Sequence, residues 1–164
     1  MHENHTPNNV SNLLITLSKF DITSTKITYN YGSPTDIAKV KLNLSESDLV
    51  LASNCIYCVK DTVIGYSFIQ IPTNFFSVLD LNTADSHSIE DTVTSTVFEY
   101  AAASSLTVKL IYANEMEIDF LQVELNTPLI LMECILSDKF GSSFCRCKFY
   151  FLPEYYHLAF HLTK

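Results

Sequence analysis

The sequence is poor in glycine and in basic residues, and each scarcity excludes a class of protein. Three glycines in 164 residues cannot supply a Walker loop or a Gly-x-Gly-x-x-Gly nucleotide motif, and they exclude collagen-like repeats. No run approaches the ~20 apolar residues of a membrane-spanning helix, since the run that starts at Pro128 is broken at Glu133. The net charge of −8 argues against nucleic acid or an anionic membrane as a partner.

Features of a secreted protein are also missing. The opening residues, MHENH, lack the basic start and the apolar segment of a signal peptide. Five cysteines, an odd number, fit a reducing compartment better than a disulfide framework. We therefore expect a cytoplasmic protein in which residues 1–8 are a flexible N-terminus and residues 9–164 form a single domain. Hydrophobic residues make up 48% of the chain, enough to build a core at this length.

The sequence does contain two stretches of similar pattern. Residues 49–79 and 130–160 each hold an apolar run, a polar break with one glycine, an alternating run, a proline and an aromatic segment. A shift of 81 residues superposes Pro72 on Pro153. The short breaks favour antiparallel hairpins, and the prolines fit the first turns of helices. Chance resemblance of two hairpins is the alternative.

A long helix is predicted between the two copies. Ser88 starts a stretch with the form of a capping box, and apolar residues at helical spacing follow to about Leu106. Residues 107–115 could be helix or strand. The other predicted elements are a helix over 9–20, strands over 22–31 and 37–44, a helix over 73–81, a strand over 118–125 and a closing helix over 153–162.

These elements predict an α+β fold. We expect a mainly antiparallel sheet with helices on one face, built from two pseudo-symmetric strand-hairpin-helix halves around the long central helix.

Two groups of residues could in principle bind a metal. Cys55 and Cys58 have the CxxC spacing, but they lie in a predicted strand, where positions i and i+3 point to opposite faces. Buried thiols are therefore the favoured interpretation. The second group has no common structural-zinc spacing and lies among core-like aromatics: Cys145, Cys147, His157 and His161. We predict neither a metal nor a cofactor.

Catalysis would depend on one carboxylate. The sequence has no Gly-x-Ser-x-Gly elbow, which leaves Glu99 on the predicted central helix. A carboxylate on the solvent face of a helix could orient a water molecule or contact a partner, although a merely solvated glutamate is the commoner outcome. Asp91, Thr92 and Ser95 on the same helix complete the predicted partner-binding set. We expect a binding protein more than an enzyme.

The pattern over residues 10–162 resembles the family of CheC, CheX and the FliM middle domain, which are chemotaxis phosphatases and flagellar switch proteins. The resemblance consists of two strand-hairpin-proline-helix units around a long helix. In phosphatase members this helix carries Glu-x-x-Asn, in which the Glu contacts a phosphorylated response regulator and the Asn orients the attacking water. Glu99 matches the Glu, but Ala102 stands at the Asn position and cannot hydrogen-bond a water.

The resemblance implies a binding module in chemotaxis or flagellar signalling that engages a response regulator or switch partner without the usual phosphatase activity. One alternative is a divergent response-regulator phosphatase that uses Glu99. The other is a dimeric, acidic chaperone or secretion adaptor. All three imply a protein partner, with neither nucleic acid nor membrane insertion. We also expect a homodimer, because aromatic residues such as Phe75, Phe76 and Tyr155 exceed what one small core needs.

Overall fold

A six-stranded antiparallel sheet is the framework of the protein in the computed structural model, which describes residues 9–164. The strands are β1 (Ser24–Gly32), β2 (Val50–Val59), β3 (Thr62–Pro72), β4 (Ala103–Tyr112), β5 (Pro128–Ser137) and β6 (Ser143–Phe151). Their order across the sheet is β1-β2-β3-β6-β5-β4, so β3 and β6 pair at the centre while β1 and β4 form the edges. The predicted α+β class with an antiparallel sheet is confirmed.

The two similar stretches form hairpins that lie side by side at the centre of the sheet. The first turns from β2 to β3 at Lys60, which has a positive φ of 54°. The second turns from β5 to β6 through residues 138–142, where Gly141 has a φ of 82° in the region that favours glycine. Asp138 holds this turn, because its Oδ1 accepts hydrogen bonds of 2.9 Å from the amides of Phe140 and Ser142.

The helices are short, and each half of the sheet has one between its first two strands. They are α1 (Leu13–Thr16), α2 (Asp36–Lys41), α3 (Ser86–Asp91), α4 (Val97–Tyr100) and α5 (Glu115–Leu121). A π-helical segment, Thr92–Thr96, joins α3 to α4, and 3-10 turns cover Thr73–Phe75 and Pro153–Tyr155.

Both faces of the sheet are covered, and we name the faces by what covers them. On the first face, α1, the helical segment 86–100 and Tyr156 pack on apolar residues of the inner strands. On the second face, α5 packs on a smaller apolar cluster around Tyr66 and Tyr150, while α2 reaches β6. The prediction of helices on one face was therefore wrong, because the central strands β3 and β6 carry buried residues on both of their sides.

The predicted central helix was also wrong in its extent and its role. Helical structure ends at Tyr100, and residues 103–112 form β4, which also settles the ambiguity at residues 107–115 in favour of a strand over most of that range. The physical reason is the alternation of Leu106, Val108 and Leu110 with polar neighbours, which has the period of a strand. The sheet, and not a long helix, organises the fold.

Several shorter predictions need correction as well. Residues 37–44 and 118–125 were predicted as strands, but α2 and α5 occupy most of these ranges. The predicted helices over 9–20, 73–81 and 153–162 shrink to α1 and to the two 3-10 turns. The prediction of a flexible N-terminus at residues 1–8 lies outside the described residues.

Candidate functional site

Polar side chains cross the second face of the sheet in the region between α2 and α5. The strand register places Gln70 of β3 opposite Arg146 of β6, and Phe68 opposite Lys148. Lys148 in turn lies opposite Glu133 of β5. Central strands of a sheet covered on both sides are usually apolar on both faces, so polar residues here are unexpected for a purely structural sheet.

A cavity of about 260 Å³ lies on the first face, and one of about 330 Å³ lies on the second. The first is lined mainly by apolar side chains, including Phe98, Leu136 and Phe149. The second is more polar, and its walls include Asn30, Ser33, Thr35, Asn54, Phe68 and Gln70. A volume of ~300 Å³ is at the lower end of the range for small-molecule sites.

The loop before α2 closes this second cavity. Thr35 caps α2, since its side chain accepts a hydrogen bond of 3.2 Å from the amide of Ala38. Pro34 and Ala38 are buried, which anchors the loop and the helix against the sheet. The cavity is therefore bounded by β1–β3 on one side and by the residues that start α2 on the other.

Arg146 is the single arginine of the sequence, and it lies at the centre of the polar region. Arg146 is 5% exposed, and its Nη1 donates a hydrogen bond of 2.8 Å to Gln70 Oε1. The salt bridges within residues 9–164 join Lys39 to Asp36 and Glu46, and Lys109 to Glu133; none of them involves Arg146. The guanidinium is thus buried beside a neutral amide.

Lys148 experiences the charge of Arg146 two residues away on the same face of β6. Burial and the neighbouring Arg146 lower the pKa of Lys148, and Lys109 adds a smaller contribution of the same sign. Glu133 and Glu117 oppose the change by favouring the charged ammonium. Glu133 also pairs with Lys109, at 3.6 Å between Oε1 and Nζ. Positive charge is therefore concentrated in a chain that is acidic overall.

Aromatic rings form the end of the polar region beneath α5. Tyr66 stacks on Phe120 with ring centroids 4.4 Å apart and on Tyr150 at 5.1 Å. The Tyr66 hydroxyl donates a short hydrogen bond to Asn54 Oδ1, which links this cluster to the cavity wall. Burial raises the pKa of Tyr150 to about 12, with Glu117 and Glu133 acting in the same direction.

The residues predicted from the sequence as a site lie on the other side of the sheet, on the helical segment 86–100. Asp91, Ser95 and Glu99 are exposed at a spacing of four residues, and Ser95 Oγ donates a 3.0 Å hydrogen bond to Glu99 Oε1. Thr92 is buried and donates to the carbonyl of Ser88 at 2.8 Å. The structure does not bring Thr92 to the same surface, and the role of the other three stays a prediction.

Sequence reasoning missed the polar region, although one signal was present. In the stretch FCRCKFYF, Arg146 and Lys148 alternate with buried apolar residues of β6. Charged residues that share one face of a central strand need partners in the folded protein. That argument identifies the two cations but not Gln70, which is 76 residues away in the chain.

The cysteines and histidines form no metal site within residues 9–164, where no group of three or more His, Cys, Asp or Glu side chains is arranged to hold an ion. Cys55 lies in the core of the first face and Cys58 in the cluster of the second, as their strand spacing predicts. Cys145 Sγ and Cys147 Sγ are 3.6 Å apart. The two histidines are exposed on the closing segment, which is not helical.

Comparisons with known proteins place this geometry in a family. The sequence matches no curated protein. Three solved structures share the fold: a GntR-family transcriptional regulator from Enterococcus faecalis V583 (TM-score 0.70, 18% identity, 86% of this chain and 100% of that one); the possible transcriptional regulator YydK from Bacillus subtilis subsp. subtilis str. 168 (0.70, 20%, 99% and 70%); and the C-terminal domain of the histidine utilization repressor from Pseudomonas syringae pv. tomato str. DC3000 (0.72, 12%, 85% and 98%).

The family model of the UTRA domain matches residues 19–157. This match overturns the resemblance to CheC, CheX and the FliM middle domain, and with it the assignment to chemotaxis or flagellar signalling. The earlier resemblance depended on a long central helix, which the fold lacks. No helix among residues 9–164 is long and apolar enough to cross a membrane. The chain belongs to the UTRA domain family.

Proposed function

We propose that this chain is the effector-binding domain of a transcriptional regulator and that it binds a small molecule on the second face of the sheet. A solved structure of the same fold supports this proposal, because it is described as the ligand-binding domain of a putative GntR-family transcriptional regulator from Bordetella bronchiseptica (TM-score 0.68, 14% identity). The observation that carries it is the cavity of about 330 Å³ beside the polar centre of the sheet, with Asn54 and Gln70 in its walls. Convergent polar groups in a concave site are typical of ligand recognition.

The ligand would contact both the sheet and the start of α2. Gln70 is fixed by its hydrogen bond with Arg146, and Asn54 by its hydrogen bond with Tyr66, so both amides are positioned before binding. Positioned donors and acceptors reduce the ordering cost of binding. Ser33 and Thr35 would complete the site from the loop.

Filling the cavity tests the proposal directly. We would measure the thermal unfolding midpoint of the wild-type chain in the presence of individual amino acids, sugars, sugar phosphates and dicarboxylates. Ala52→Leu adds bulk to the cavity wall, so we expect it to abolish the shift produced by any active compound. Ala103→Leu makes the same change at an exposed position of β4 and should preserve the shift. A compound that binds both variants equally would place the site elsewhere, and a panel without any binder would contradict the proposal.

The regulator would work in the cytoplasm, where transcription takes place, and residues 9–164 would act in it as one domain. Support for one domain comes from the single sheet, in which β3 and β6 join the two hairpins. DNA contact would belong to another part of the regulator, because a net charge of −8 disfavours the phosphate backbone.

We also propose that the chain forms a homodimer through β4. This edge strand leaves an apolar stripe uncovered on the first face, formed by residues that are 40%, 53%, 62% and 62% exposed: Leu106, Val108, Leu110 and Tyr112. The residues between them, Thr107, Lys109 and Ile111, face the other way, and two of the three are polar. Such alternation is typical of a strand with one buried face, so a partner is needed to cover it.

A second copy of the chain fits this edge better than an unrelated partner. Antiparallel pairing of β4 with itself is two-fold symmetric and satisfies the free backbone groups of both edges. With Val108 on the two-fold axis, Leu106 would lie opposite the partner's Leu110. Lys109 would lie opposite the partner's Thr107, so the two lysines would not face each other. β4 contains no carboxylate, so two chains of charge −8 can meet here with little local repulsion.

Val108→Lys would separate the dimer, because it places two added ammonium groups at the axis. Light scattering after size exclusion, over a dilution series, would give the mass. Val40→Lys introduces the same change at an 80% exposed position on α2 and should leave the dimer intact. A monomeric wild-type chain, or a dimer that survives Val108→Lys, would show that β4 is not the interface.

A further inference from the structure

The polar centre of the second face contains a buried cation that forms no salt bridge within residues 9–164. Arg146 is 5% exposed, and within residues 9–164 the hydrogen bond that its guanidinium donates goes to the neutral side chain of Gln70. No carboxylate of residues 9–164 forms a salt bridge with it. Buried charges in proteins are normally paired, because removing a charge from water costs more than a neutral hydrogen bond returns. An unpaired arginine at this position therefore requires an explanation beyond folding.

We propose that the effector is an anion and that its carboxylate or phosphate group binds Arg146. This inference rests on the proposed effector-binding function. A guanidinium has five N–H donors in a planar fork that matches both kinds of oxyanion, and Gln70 accepts from Nη1 alone. Gln70 also lines the cavity, so the guanidinium lies one hydrogen bond from the cavity wall. An incoming anion would take the place of the Gln70 oxygen or bind beside it.

The charges around Arg146 favour an anion. Lys148 shares its face of β6, and Lys109 of β4 forms a salt bridge with Glu133 of β5. Three cations therefore face two carboxylates, Glu133 and Glu117, that act on the same group. The lowered pKa of Lys148 reflects burial beside the charge of Arg146 that the carboxylates do not offset. An anion bound between Arg146 and Lys148 would relieve both effects.

The first test uses inorganic phosphate and acetate as separate probes, each titrated at constant ionic strength with chloride as the reference. Isothermal titration or chemical-shift titration would give the dissociation constant. We expect Arg146→Met to weaken binding of the preferred probe by about tenfold or more. Arg146→Lys keeps the charge but loses the planar fork, so it should weaken binding by less than Arg146→Met. Lys139→Met removes an exposed lysine of the β5–β6 turn and should bind like the wild type.

The outcomes separate this inference from the proposed function. If Arg146→Met folds and binds phosphate or acetate as the wild type does, the inference is wrong. If an uncharged metabolite binds, is lost in Ala52→Leu and is retained in Arg146→Met, the effector site stands but the anionic class is wrong. If the chain binds neither probe and no compound of the metabolite panel, charged or uncharged, both are wrong. Preference for phosphate over acetate, or the reverse, would identify the oxyanion.

Discussion

Gly65 of β3 lies where the sheet closely approaches two segments that cover its first face, α1 and the closing segment. A Cβ atom built on Gly65 would lie 2.6 Å from Leu14 Cδ2 and 2.6 Å from the Tyr156 hydroxyl oxygen. That hydroxyl donates a buried hydrogen bond of 3.0 Å to the carbonyl of Leu14. A methyl group at residue 65 would therefore push apart α1 and the closing segment at the point where they are joined. We predict that Gly65→Ala is strongly destabilising.

The expected size follows from these two contacts. Overfilling a packed site costs ~1–3 kcal/mol, and a buried hydroxyl–carbonyl pair that loses its geometry costs another ~1–3 kcal/mol. The end of the Leu14 side chain can move, whereas Tyr156 is fixed by an edge-on contact with Phe151. We therefore expect a loss of about 3 kcal/mol in the free energy of unfolding, or roughly 6–12 °C in the midpoint for a chain of this size.

Urea unfolding followed by circular dichroism would measure the loss. Gly32→Ala is the matched control, because nothing lies within 4 Å of a Cβ at that position of β1; its effect should be small or slightly stabilising. Tyr156→Phe removes the oxygen that the new methyl would contact, so Gly65→Ala should cost less in that background than in the wild type. Equal effects of the two glycine substitutions would refute the close-packing argument.

Three further predictions concern the turn, the aromatic cluster and the buried cation. Asp138→Ala should lower the free energy of unfolding by ~1–3 kcal/mol, because the side chain accepts two amide hydrogen bonds; Asp138→Asn keeps an acceptor and should cost less, and urea unfolding of both variants checks this. Burial raises the pKa of Tyr150 to about 12, above the unfolded value of ~10. The stability that the protonated hydroxyl contributes is therefore complete below pH ~10 and is lost as the pH rises towards 12. We would measure the free energy of unfolding between pH 9 and 12 and follow ionisation by tyrosinate absorbance; a free energy that does not change with pH would contradict the reasoning. Arg146→Met should stabilise the ligand-free chain by ~1 kcal/mol or more in urea unfolding, and a loss of stability would mean that the guanidinium is already well paired.

The sequence predicted the centre of the sheet well and its short helices poorly. The first repeated stretch, residues 49–79, was predicted to contain a hairpin, and β2 and β3 form it, because the apolar pattern of each run persists over many residues. α2 has six residues and α5 has seven, too few for a helical period to stand out. Their side-chain caps were the better signal, since Thr35 and Asn114 each accept a hydrogen bond from an amide of the first turn.

The site was harder to predict, because it depends on strand order. Arg146 and Lys148 can be placed on one face from the sequence alone, but their neighbours come from β3 and β5. Gln70 reaches Arg146 only because β3 pairs with β6, a contact between the two hairpins that no local pattern encodes. Glu99 was predicted as a site because it was placed on the solvent face of a long central helix; the helix ends at Tyr100, and Glu99 lies on the opposite face of the sheet from the polar region.

The polar region lies on the central strands, where burying polar groups costs much folding free energy. This position supports a role in ligand binding. β3 and β6 are the central strands, and Gln70 and Arg146 are both buried there. Two apolar side chains at these positions would therefore also be buried. The free chain instead retains a buried charge beside a neutral amide. A ligand present at 100 times its dissociation constant returns ~2.7 kcal/mol to the folded state, which is comparable to the expected penalty of an unpaired buried cation. The domain would then be most stable when occupied. Gln70 links Arg146 to the cavity, and the residues that start α2 form another wall of that cavity. Binding of a ligand to Arg146 would therefore affect the position of α2.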